Sequence, residues 1–72
     1  MKTYQDYKAV ADKIDAVASS VGENILYDDM CVNIENAGCD DNYELMISCA
    51  INAFGMRCEN LGLNANDYGF SY

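Results

Sequence analysis

The stretch ELMISCAINAFGMRCENLGL, residues 44–63, decides the fold. Its polar positions Glu44, Ser48, Asn52 and Glu59, with Gly55 between the last two, recur at spacings of 4, 4, 3 and 4. As a helix it would wet one narrow stripe and ask for burial almost everywhere else. Asp41 or Asn42 can cap its start, and Glu44 meets the positive end of the helix dipole. Past Leu61, Gly62 and Leu63 match a left-handed stop with its apolar clasp. Gly55 costs up to about 1 kcal/mol relative to Ala in a helix interior and falls on the polar stripe. A helix of this kind is either the central member of a small bundle or carries an apolar face meant for a second copy of the chain.

Before it, residues 4–21 place Tyr4, Tyr7, Val10, Ala11, Ile14, Val17, Ala18 and Val21 on one face, at spacings of 3 and 4. Gln5, Asp6, Lys8, Asp12, Lys13, Asp15 and Ser19 take the other, so an amphipathic helix is expected, capped by Thr3, stopped by Gly22 and carrying a Lys8–Asp12 pair one turn apart. Residues 23–38 admit two readings. Leu26, Met30, Ile34 and Ala37 form a helix face that Gly38 would end. Alternatively, Met30, Val32 and Ile34 alternate as a strand does, opposite Tyr43, Leu45 and Ile47 across the loop NAGCDDN. The helix is the expected form, because the Gly38 stop and the stripe of the next segment agree with it. The fold expected is therefore all-α, a three-helix domain with an aromatic C-terminal tail; the alternative is α+β with a hairpin at about 25–50. In the tail, Tyr68, Phe70 and Tyr72 alternate and are expected to fold back near Tyr4 and Tyr7.

Seventy-two residues, 51% hydrophobic, without Pro and with only 5 Gly, describe one small folded domain over 1–72 rather than a disordered chain. The charge is lopsided: 12 acids against 4 bases, net −8, with no His. Lys2, Lys8 and Lys13 stand at the start, and from Ile14 onward Arg57 is the single base. Such a field repels nucleic acid and anionic lipid and favours encounter with basic surfaces. No signal peptide or membrane span is read, so a cytoplasmic location is expected. Cys31, Cys39, Cys49 and Cys58 lack the paired spacing of zinc ligands, and Cys49 and Cys58 are read as buried free thiols.

Without His, the imidazole-based triads and the commonest metal ligand are absent. No glycine-rich phosphate loop occurs. Asn64, Asn66 and Gly69 open like a calcium loop, but Tyr68 takes a ligand position and the chain stops short of the closing Glu. No enzyme chemistry, cofactor or metal is expected. The acids Asp28, Asp29, Glu35, Asp40, Asp41 and Glu44 crowd into 17 residues that hold no Lys or Arg. Carboxylates one helical turn apart are spaced on the scale of nucleic-acid phosphates. A tiny acidic chain without catalytic motifs resembles, as a class, the phage-encoded inhibitors of host defence, among them anti-CRISPR proteins and DNA mimics. That resemblance implies a protein that occludes the basic surface of a nucleic-acid-binding partner without binding nucleic acid itself, and it supplies no positions; the crowding of charge points to those six acids as the contacts, with Tyr27 or Tyr43 as aromatic anchors. The alternative expectation is a homo-oligomeric helical module that pairs through Phe54 and Met56.

Overall fold

A computed structural model describes residues 2–70, and the chain forms three α-helices: α1 (Tyr4–Val21), α2 (Ile25–Ala37) and α3 (Tyr43–Asn60). A single 3-10 turn follows at Ala65–Tyr68. The hairpin is not adopted: the helical register puts Leu26 and Met30 in the core with Ile34 packed at its edge, and it turns Val32, which a strand would place on the same face as Met30 and Ile34, away from them. That choice leaves Val32 (55%) and Leu45 (42%) exposed. Ala37, read as part of the core face, is exposed in the last turn of α2.

Each helix begins and ends for a local reason. Thr3 and Asp6 form a reciprocal capping box: the Asp6 N–H donates to Thr3 Oγ1 at 3.4 Å, and the Thr3 N–H donates to Asp6 Oδ2 at 2.8 Å. These bonds hold the Asp6 carboxyl below its ordinary value, so the box persists into mild acid and is lost as pH falls through that lowered pKa. Asn42, rather than Asp41, caps α3, accepting the Leu45 N–H at 3.1 Å. At the far end Gly62 takes φ 74° and the Leu63 N–H returns to the Cys58 carbonyl at 2.7 Å, the expected left-handed stop.

The core is one cluster fed by all three helices and the tail: Ile14, Leu26, Met30, Ala50, Phe54 and Cys58 are fully buried. α3 is its centre, packed against α2, against α1 and against the 3-10 turn. That answers the question posed by its narrow stripe, since the chain itself supplies the cover. Gly55 departs from expectation. It lies at the stripe's angle but is buried, while its neighbour Met56 is 51% exposed.

The tail does fold back, though not beside Tyr4 and Tyr7. Phe70 is buried against Phe54 with ring centroids 4.8 Å apart, and Tyr68 meets the same ring edge-on at 6.3 Å. Lys13 Nζ sits 4.7 Å above the Phe70 ring, a cation–π contact that ties α1 to the tail. Gly69 makes the approach possible: its φ is +85°, and a Cβ there would stand 2.6 Å from Lys13 Nζ. Tyr72 lies outside the described residues. The Cα radius of gyration is 11.3 Å, which matches the roughly 11 Å of a close-packed domain of this length.

Candidate functional site

The antiparallel course of the helices puts the end of α2, the loop 38–42 and the start of α3 at one end of the bundle, next to the start of α1. Tyr4 of α1 meets Tyr43 of α3 there, centroids 5.9 Å apart and planes at 70°. Glu35, Asp40, Asp41 and Glu44 are all exposed in this region. Asp40 adopts φ 51°, a left-handed conformation that Asp tolerates better than most residues and that turns the chain toward α3. Lys2, Thr3, Tyr4 and residues 41–44 enclose a cleft of about 570 Å³.

The other two expected acids sit near the start of α2 and fare differently. Asp28 is exposed and shares a face with Glu35, seven residues along the helix. Seven residues of α-helix rise about 10 Å, close to three steps of a DNA strand at about 3.4 Å each. Asp29 is not free: its Oδ2 accepts from Arg57 Nε at 2.6 Å, both side chains about a third exposed (32% and 31%). This pair bridges α2 and α3, and the Asp29 carboxylate raises the Arg57 pKa. It closes one end of a groove of about 340 Å³ lined by Val32, Asn33, Asn36, Ala53, Met56 and Asn60. Linear density groups Asp29 with its acidic neighbours but says nothing of a partner 28 residues away.

The expected aromatic anchors are partly committed to packing. Tyr27 is half-buried against the core, and its phenol pKa is raised by the adjacent Cys31 and by burial. Tyr43 is half-buried, while Tyr4, which sequence reasoning assigned to the core face, is 50% exposed and is the more accessible ring. Tyr4 stands in the first turn of α1, with its ring against Tyr43.

Across the described residues the bases are few and mostly tied. Lys8 pairs with Asp12 at 2.8 Å, Arg57 with Asp29, and Lys13 lies over Phe70. No ion pair among the described residues engages Asp28, Glu35, Asp40, Asp41 or Glu44. No group of three Cys, Asp or Glu side chains among them could hold a metal ion, and no described helix is long and apolar enough to cross a membrane.

The thiols divide by depth. Cys58 is buried, as expected, but Cys49 is only half-buried, Cys39 is buried and Cys31 is exposed. Burial pushes the Cys58 and Cys39 thiols up, and the neighbouring Cys49 thiol raises Cys39 further. Higher thiol pKa means less thiolate near neutral pH, so alkylation with iodoacetamide is expected to mark Cys31 first and Cys39 and Cys58 last. The gap should be about 100-fold or more, because the buried thiols react only on opening. Peptide mass spectrometry of a time course reads it, and equal rates at all four would contradict this packing.

No family model, curated protein or solved structure matches this chain. Its function has to be argued from its own surface.

Proposed function

We propose that this protein is a non-enzymatic inhibitor that docks on the basic, nucleic-acid-binding surface of another protein and occludes it, as phage-type anti-defence proteins of the DNA-mimic and anti-CRISPR kind do. The observation that carries this is the excess of exposed acid at one end of the bundle, where Lys2 is the one described base. Glu35, Asp40, Asp41 and Glu44 are exposed there without ion pairs among the described residues, while Arg57 and Lys8 are held by Asp29 and Asp12. A net charge of −8 on so small a body focuses a negative potential that steers basic surfaces toward it and turns nucleic acid away. Asp28, on the same α2 face as Glu35, extends the array along the helix. Asp29 drops out of the proposed contact set.

The test is a tagged pull-down from lysates of candidate bacterial hosts, washed at low and at high salt. A nucleic-acid-binding protein that is retained at low salt and released at high salt supports the reading. Absence of any salt-labile partner of that class overturns it, since exposed charges separated by more than about 10 Å are screened at 0.1 M salt and an electrostatic contact must weaken.

A second reading, self-association in the host cytoplasm as a structural or regulatory module, is favoured by one observation: Val32 and Met56 expose apolar surface in the same α2–α3 groove. Phe54 is fully buried and cannot be a contact of such a dimer, so Met56→Asp is its clean probe. A dimer by light scattering at micromolar concentration that Met56→Asp converts to monomer supports this reading; a monodisperse monomer removes it.

A further inference from the structure

The cleft at the acidic end has features that a plain acidic surface lacks. Its volume of about 570 Å³ lies within the range of small-ligand pockets, about 300–1,000 Å³. Two tyrosine rings, Tyr4 and Tyr43, meet at 70° with centroids 5.9 Å apart, so they form a corner rather than a flat patch. Tyr4 is half exposed, so the side of the corner that it forms is accessible to a visitor. Asp41 and Glu44 stand on the same lining and make no ion pair among the described residues. Asn42 Oδ1 is occupied by the Leu45 N–H, and Thr3 Oγ1 is engaged with Asp6. The polar side-chain groups left for a ligand are therefore the two carboxylates, the phenols, the Asn42 amide N–H groups and the Lys2 ammonium.

Those groups select the ligand by sign and shape. The ring faces carry negative quadrupole potential and the carboxylates full negative charge, so the visitor is a cation. A guanidinium fits better than an ammonium. It is flat, so it can lie on a ring; it is weakly hydrated, so it loses less on leaving water; and its forked N–H groups donate two at a time to a carboxylate. Lys2 lines the same cleft and opposes any cation, which provides an internal control of sign.

We infer that the Tyr4–Tyr43 cleft is an arginine pocket, which stacks a partner's guanidinium on a tyrosine face and holds it by Asp41 and Glu44. The inference rests on the proposed docking to a basic surface, and it names the side chain that would enter first. In that role the corner supplies selectivity among basic surfaces, while the wider acidic array supplies rate.

The experiment uses the full chain and a small probe, so it does not depend on finding a partner. N-acetyl-arginine amide is titrated into isotope-labelled protein and followed by NMR, with N-acetyl-lysine amide at the same ionic strength as the comparison. The expected result is saturable shifts at the Tyr4 and Tyr43 ring protons and the amides of residues 41–44, with arginine bound about two- to fivefold more tightly than lysine, the effect of one exposed cation–π contact. Tyr4→Leu should abolish the preference without disturbing the fold, since that ring is half exposed, and Asp41→Asn with Glu44→Gln should weaken both cations. Lys2→Gln should tighten arginine binding. Equal shifts for both cations, or shifts spread over the whole acidic surface, overturn the pocket. Arginine binding here without a salt-labile partner in lysate would sink the docking function and leave the pocket standing; a captured partner without arginine binding would do the reverse.

Discussion

Phe54→Ala is expected to cost about 3–5 kcal/mol of folding stability, the range for removing a fully buried aromatic ring. Phe54 has no exposed surface and lies among Ile14, Leu26, Met30 and Cys58. It also carries the tail, since Phe70 and Tyr68 both rest on its ring, at 4.8 and 6.3 Å. Truncation therefore leaves a cavity and removes the floor under the last segment. A domain of this size has about 4–11 kcal/mol in total, at roughly 0.05–0.15 kcal/mol per residue. The loss thus takes from a quarter of the stability to all of it. Urea denaturation followed by far-ultraviolet circular dichroism should show the midpoint falling steeply, and Tm should drop by at least roughly 12 °C, at about 4–8 °C per kcal/mol. An unchanged midpoint would mean that α3 is not the centre of the core.

How much of this was legible in the sequence depends on the range of the interaction concerned. Helix periodicity is local, and the bounds of α1, α2 and α3 follow from it together with Thr3, Gly22, Gly38, Asn42 and Gly62. The burial of Cys58 and the return of Phe70 follow from hydrophobic economy in a chain too short to waste an aromatic ring. What was not legible is set by the packing of one helix on another. Gly55 and Met56 are neighbours at adjacent angles, and only the positions of the other elements decide which is covered. Asp28 and Asp29 are likewise adjacent, but about 100° of helical turn separates them. That turn points one into solvent and the other at Arg57. In the same way Tyr4 sits on the apolar face of α1 yet stays half exposed beside Tyr43, which makes it a candidate binding residue.

The split between Asp28 and Asp29 makes the second large effect decidable. Replacing Asp28, Asp40 and Asp41 by Asn and Glu44 by Gln removes four of the eight net charges and leaves the Asp29–Arg57 bridge intact. The fold should tolerate it. Asn accepts the left-handed φ of 51° at position 40 as readily as Asp does, the losses at the helix N-termini are small, and self-repulsion is relieved. Association with the partner recovered from lysate should slow about tenfold or more at low salt, and its dependence on ionic strength should flatten, while dissociation changes little. Asp29→Asn alone should do the opposite: it frees Arg57, loosens α2 from α3 and lowers Tm, yet leaves the association rate near that of the parent. Stopped-flow association at two salt concentrations, alongside thermal melts of both variants, separates the two roles. If the four-site variant associates as fast as the parent with the same salt slope, the acidic end is a solubilising surface and the docking function fails. If Asp29→Asn slows association as strongly as the four together, the carboxylate bound to Arg57 belongs to the interface after all, and the contact lies along the α2–α3 groove instead of at the end of the bundle.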